Sequence, residues 1–201
     1  LVDSQHVIVA AMEDAFRTNG LVLPARDSIL GVVGLSLVTA VEQLLPDERN
    51  PDFAVQLAED YKASFAQRRP GPDHHEPLYP GVRDILEGLA KREDVVLGIA
   101  TGKSQRGVAA VLEREGLKGY FATIQTADTH PSKPHPSMIL KAMAETGADP
   151  ADTLMIGDTT YDMIMARGAQ VTAQGVAWGY HEAGVLRGAG AHDVSADSSA
   201  L

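Results

Sequence analysis

The chain has 201 residues, 44% hydrophobic and 22% charged, which is the mix of a globular protein with one domain, or one domain with a smaller one inserted. Its 27 acidic and 17 basic side chains give a net charge of −10, which argues against a general nucleic-acid binder. It has no cysteine, so disulfides, thiolate metal sites and cysteine nucleophiles are excluded.

No apolar run approaches ~20 residues, so no membrane span is expected. No signal peptide is visible, and a cytoplasmic location is the default expectation. An acidic protein acting on an anionic substrate needs local positive charge or a metal ion. Any basic residue near a candidate site therefore gains interest.

Residues 4 to 69 read as helical. "SQHVIVAAMEDAFRTNG" offers Asp3 or Ser4 as N-cap, apolar Ile8, Met12, Ala15 and Phe16, and Gly20 as a stop. "SILGVVGLSLVTAVEQLLP" predicts one or two helices with a bend at Gly31 to Gly34. "NPDFAVQLAEDYKASFAQRR" opens with Asn50 as cap and Pro51 in the first turn, and Phe53, Leu57, Tyr61 and Phe65 repeat every fourth residue. "RRPGPDHHEPLYPG" is a loop dense in proline and glycine.

After Pro80 short apolar runs alternate with helical segments. "VVLGIA", "FATIQT", "TLMIG" and "VTAQGVAWG" read as strands. Helices are expected from about Ser104 to Glu115, from about Pro136 to Thr146 and through Met163 to Ala169, with one last short strand in the tail. This alternation predicts an α/β fold, a parallel sheet covered by helices on both faces. In such folds ligands gather at the carboxyl ends of the strands.

Three of those strand ends carry polar groups. "VVLGIATGKSQ" ends in Thr101, Gly102 and Lys103 ahead of a helix capped by Ser104. A hydroxyl with free backbone N–H groups at a helix start suits a phosphate group, and an ordinary strand-to-helix turn is the plain alternative. It is not a nucleotide P-loop, because the position that pattern needs as glycine is Leu97. "HPSKPHP" holds Lys133 in a turn stiffened by Pro131, Pro134 and Pro136, although a lone lysine is more often solvated surface. His130 and His135 beside it read as loop residues.

"MIGDTTYD" places Asp158 at a strand tip and Asp162 one helical turn on, so both carboxylates face one way. Paired carboxylates repel unless a cation or proton separates them, and oxygen-only ligands favour Mg²⁺. Taken alone, a helix N-cap and a surface acid account equally well for the pair. What separates the two readings is the combination. A hydroxyl with amides, a lysine and an acidic pair close three successive strands and together predict a pocket for phosphate plus Mg²⁺.

In these motifs the chain resembles the haloacid dehalogenase superfamily, in its phosphoglycolate phosphatase-like branch with a helical cap. "IATGKS", "SKPHP" and "MIGDTTYDMIMA" correspond to its second, lysine and acidic motifs, and "GVAWGYHEAGVLRGAGA" to its usual ending. The resemblance implies a Rossmann-like parallel core at 78–201 and an inserted helical cap domain at 5–77, with residues 1–4 belonging to the core. It also implies Mg²⁺ dependence and a small phosphorylated metabolite as substrate, with neither nucleic acid nor membrane as partner.

By the same resemblance Thr101 binds the transferring phosphoryl group through its hydroxyl, with Gly102 helping through its N–H and Lys103 contributing less. Lys133 neutralises charge, Asp158 ligates Mg²⁺ and Asp162 supports the ion through water. Substrate choice lies in the cap, where the bend "GVVGLSL" is expected to lower Gly34 and Leu35 towards the core's pocket.

One departure is large. The family's nucleophile sits in an Asp-x-Asp-Gly-Thr-type motif just ahead of "LVDS", and the 201 residues begin at that "LVDS". Asp3 matches a position beyond the motif and is not a substitute. The expectation is that the native protein carries that strand. As written, the chain predicts a phosphate-binding relative without turnover. A receiver domain, which also uses Asp, Thr and Lys, fits less well because its acidic pair comes near the beginning. A smaller departure is Gln170, where the family has glycine, which predicts a different helix ending.

Overall fold

Helix α1, Gln5–Thr18, forms where the apolar spacing predicts it, and its buried face carries Val9, Met12, Ala15 and Phe16. Ser4 occupies the N-cap without a side-chain cap bond, because its hydroxyl donates instead to Glu76 Oε1 at 2.5 Å. Asp3 takes over the capping work and accepts the Gln5 N–H at 3.1 Å. The computed structural model describes residues 1–46, 51–68 and 76–201.

The glycine-bearing stretch does break into two helices, α2 (Arg26–Gly31) and α3 (Leu37–Leu44). Helix α4, Pro51–Arg68, starts at the predicted proline, while its expected cap Asn50 lies outside the described residues. Its buried stripe is Ala54, Leu57 and Ala58 rather than Phe53 and Phe65. The small residues let α4 approach α1 closely, and the two phenylalanines sit half-buried at the margins. Phe16, Ile29, Val41 and Leu57 close this helical core at 0–1% exposure. Each such side chain contributes about 1.5–3 kcal/mol by leaving water.

Clustering of contacts divides the chain into two units. The helical one comprises Leu1–Val33 and Leu37–Pro77, and the other comprises Gly34–Ser36 and Leu78–Leu201. Residues 1–4 thus group with the helices, and the bend at 34–36 groups with the second unit.

The second unit alternates as expected: α5 (Val82–Leu89), β1 (Gly98–Thr101), α6 (Gln105–Arg114), β2 (Thr123–Thr126), α7 (Ser137–Thr146), β3 (Leu154–Gly157), α8 (Thr160–Gly168), β4 (Thr172–Val176), α9 (Ala183–Gly188) and β5 (Asp193–Ser195). All pairings are parallel, β1 with β2 and β4 with both β3 and β5. The ladders form two sheets, and among the described residues no strand joins the outer edge of β1 to that of β3. That open edge explains why Leu154 and Ile156 of β3 are 51% and 40% exposed in what composition predicts as a buried strand.

Two apolar clusters hold this unit. Val82, Leu86, Val108, Leu112 and Leu117 pack α5 and α6 together. Met138, Met163, Met165, Ala173 and Leu186 pack α7, α8 and α9 around β4. Gln170, just after α8, takes φ 60°, so the residue standing where the family has glycine adopts the left-handed conformation glycine would supply.

Candidate active site at the strand tips

The carboxyl end of β1 delivers Thr101, whose Oγ1 accepts the Lys103 N–H at 3.1 Å. Ser104 then caps α6 by accepting the Gly107 N–H at 3.2 Å. Asp128, beyond β2, accepts the Gln105 N–H at 2.7 Å and ties the two loops together.

Gly102 tolerates no side chain. A Cβ there would lie 2.6 Å from the Leu35 carbonyl oxygen and 2.8 Å from that of Gly34. The bend at Gly34 and Leu35 therefore runs directly over the phosphate-cradle turn, as the sequence predicts. Ser36 fixes it there by donating its N–H to Ser132 Oγ at 2.8 Å, one residue before Lys133.

Lys133 is the joint of the site. Its side chain is 6% exposed, against the solvated surface position that a lone lysine suggests. Its ammonium donates to the Ala100 carbonyl oxygen at 3.0 Å and to Asp162 Oδ1 at 2.7 Å. One amine thus connects the tip of β1 with the first turn of α8. The loop that carries it is pinned at both ends by His130, whose Nδ1 contacts Ser137 Oγ at 2.7 Å and whose Nε2 contacts Gln125 Oε1 at 2.8 Å. Gln125 donates its own amide to Thr123 Oγ1 and Glu145, both at 2.7 Å.

Asp162 is 3% exposed and has both oxygens engaged. Oδ1 takes Lys133, and Oδ2 takes the Thr159 N–H at 3.1 Å and the Thr159 hydroxyl at 2.8 Å. With Thr159 this forms a capping box at the start of α8. Asp162 is held as a counter-ion and a cap, in contrast to a carboxylate pointing outward for a ligand.

Asp158 is placed differently. Its carboxyl is pushed above the usual carboxylate range, first by burial and second by the Asp162 charge, while Lys133 pulls it back. Its side chain lies against Gly179, where a Cβ would come 2.5 Å from Asp158 Cγ. The Asp158 carbonyl oxygen accepts the His181 N–H at 3.0 Å, and His181 Nδ1 accepts the Thr160 N–H at 3.0 Å. His181 therefore brackets the Asp158 loop from both sides.

Thr101, Gly102, Lys133, Asp158 and Asp162 fall in one unit, where Lys133 links Ala100, the residue before Thr101, to Asp162, and its charge acts on Asp158; Lys103 contributes its backbone N–H to the Thr101 turn. Sequence reading missed His130, Thr159, Gly179 and His181. The glycine and histidine of "WGYH" had only their place after an apolar strand to mark them.

A carboxylate backed by a lysine-bound partner, with no cysteine in the chain, suits a hard oxygen-preferring cation such as Mg²⁺. Among the described residues no group of three or more His, Asp or Glu side chains surrounds one point. Among the described residues no helix is long and apolar enough to cross a membrane.

A parallel α/β unit with its polar side chains gathered at the strand tips defines an enzyme of the Rossmann-like class. The chain belongs to the haloacid dehalogenase-like hydrolase family, which it matches over residues 1–176. It falls in that family's phosphoglycolate phosphatase-like branch. A probable phosphatase, IndB, of Dickeya dadantii is 38% identical over 193 residues, 94% of this chain and 82% of the relative. A phosphoglycolate phosphatase of Chromobacterium violaceum is 34% identical over 156 residues, 77% of this chain and 70% of the relative. The crystal structure of a hydrolase from Pseudomonas syringae superposes with TM-score 0.85 at 28% identity, covering 100% of this chain and 91% of that one.

Proposed function

We propose that this protein is a Mg²⁺-dependent phosphatase that hydrolyses a small phosphomonoester, phosphoglycolate-like in size. The observation that carries the reading is the buried Lys133 ammonium, held between the Ala100 carbonyl and Asp162 at the mouth of the Thr101–Gly102 turn. A fixed cation there balances the charge of a bound phosphate more strongly than a solvated one, because little water screens it.

In this reading Thr101 donates its hydroxyl to a phosphoryl oxygen, and Gly102 offers its N–H to the same group. Lys133 holds negative charge on the oxygens throughout. Asp158 holds the metal, Asp162 keeps Lys133 in place, and any effect of Asp162 on the ion passes through water. Mg²⁺, when bound, polarises the phosphoryl oxygens and offsets the charge that develops on them. The attacking group is an aspartate of an Asp-x-Asp motif, which the 201 residues do not contain, and a phosphoaspartate is the covalent intermediate.

The helical unit serves as the cap domain that selects substrate. The backbone of Gly34 and Leu35 over Gly102 leaves little room for a bulky group and favours a small organic phosphate.

A panel of phosphomonoesters and pyrophosphate, assayed with full-length protein and Mg²⁺, tests the reading. Phosphate release that requires Mg²⁺ and falls ~100-fold or more in Lys133→Met is the expected result. No release from any phosphate ester would overturn it.

A further inference from the structure

Lys133 stands in the middle of a ten-residue loop, 127–136, between the end of β2 and the start of α7. Pro131, Pro134 and Pro136 have no N–H to donate, so the loop takes part of its hold from side chains. His130 supplies it. Its ring spans the loop's two ends, with Nε2 2.8 Å from Gln125 Oε1 on β2 and Nδ1 2.7 Å from Oγ of Ser137, the first residue of α7.

A chain of donors sets the direction of both bonds. Glu145, in the last turn of α7, is held below the usual carboxylate range by the Thr123 hydroxyl first and by Lys141 second, so near neutrality it only accepts. Thr123 donates its hydroxyl to Glu145 Oε2 at 2.6 Å. The Gln125 amide nitrogen donates to the same carboxylate oxygen and to Thr123 Oγ1, both at 2.7 Å. With that nitrogen committed, the Gln125 oxygen faces His130. Nε2 of His130 then carries the proton, and in the neutral ring Nδ1 accepts from the Ser137 hydroxyl. Each of these bonds pairs one donor with one acceptor. Gln125 and Thr123 are 5% and 4% exposed, which anchors the chain in the body of β2.

The anchor and the lysine's target share one rung of the sheet. Gln125 is the parallel partner of Ala100, and the Ala100 carbonyl is the oxygen that the Lys133 ammonium bonds at 3.0 Å. From Ala100 across the ladder to Gln125, on to His130, along the loop to Lys133 and back to Ala100, the path closes on itself. We propose that His130 is a positioning residue for phosphate-ester hydrolysis, which sets the reach of Lys133 through its bonds to Gln125 and Ser137. The proposal rests on the phosphatase reading above. Both ring nitrogens are engaged within the loop, so His130 acts through Lys133 and not on substrate. Asp162 keeps the ammonium charged, so losing His130 spoils its aim rather than its charge.

Kinetics of the full-length protein on p-nitrophenyl phosphate with Mg²⁺ test this, together with ¹H–¹⁵N spectra of its imidazole and lysine ammonium groups. His130→Ala should lower kcat about 10–100-fold and change KM less than about threefold. His130→Gln, whose amide nitrogen replaces Nε2 as donor to Gln125, should recover most of that loss. Ser137→Ala cuts one bond of the two and should fall between wild type and His130→Ala. The double variant should be no worse than His130→Ala, because both residues act through one chain. Without any turnover, the spectra should show His130 as the Nε2–H tautomer and a Lys133 ammonium signal displaced in His130→Ala and restored in His130→Gln. An Nδ1–H tautomer, an unmoved Lys133 signal in His130→Ala, or equal kcat in the Ala and Gln variants would overturn the proposal. A wild type that shows the expected spectra but releases no phosphate from any ester would overturn the phosphatase reading instead.

Discussion

Lys133 and Asp162 form an ion pair at 2.7 Å with both side chains almost wholly out of water, 6% and 5% exposed. Removing one member of such a pair strands the other charge, which costs about 3–5 kcal/mol. Asp162→Asn should therefore lower stability by an amount in that range, read from urea unfolding. Asp158→Asn should cost far less stability and instead weaken Mg²⁺ binding, read by titration calorimetry or by competition with Mn²⁺. If the two substitutions exchanged these effects, the division of labour between the acids would be reversed.

Much of this was legible in the sequence because it rests on local rules. Thr101, Lys133 and Asp158 each follow an apolar run and precede a helix start, so their place at strand tips needs only periodicity and capping signals. The bend at Gly34 and Leu35 was legible for the same reason, through its glycines. What stayed hidden depends on contacts between distant residues. Nothing local distinguishes His130 from any loop histidine until Gln125 and Ser137 flank it. Asp162 reads as a metal ligand by spacing, and only the fold shows Lys133 and Thr159 using its oxygens. The α4 stripe was misplaced because alanine packs closer than phenylalanine when two helices meet.

Gly179 sits where the Asp158 side chain needs its space, since a Cβ there would come 2.5 Å from Asp158 Cγ. Gly179→Ala must push the carboxylate away, as the backbone around it is held by His181. The expected outcome is a loss of about 10–100-fold in Mg²⁺ affinity, the range for disturbed support of a ligand, with little change in the urea midpoint. An unchanged metal titration in a folded variant would show that Asp158 is not where the metal sits.

His181 brackets the same loop through its own N–H and through Nδ1, while its buried Nε2 has no partner among the described residues. His181→Ala removes the acceptor for the Thr160 N–H and should raise the Mg²⁺ requirement by about tenfold. His181→Asn, whose amide oxygen is an acceptor at the Nδ1 position, should recover most of that loss. A merely space-filling histidine would show no such recovery, and the two variants would behave alike in the metal titration.

In the helical unit Asp14 is bonded by Arg68 and by Ser64 Oγ at 2.8 Å, and Arg17 lies 2.9 Å away. Burial alone would raise its carboxyl, but the bonds from Arg68 and Ser64 outweigh that and hold it below its ordinary value of 3.8. The folded form thus has the lower pKa. Its contribution to stability is present above the unfolded value and disappears as pH falls through the folded one. Arg68→Ala should flatten that acid limb, so wild type and variant should differ in thermal midpoint near neutrality and converge as pH falls through the folded value. Parallel curves, with the same gap at every pH, would mean that Arg68 stabilises α4 by packing its stem rather than by its charge.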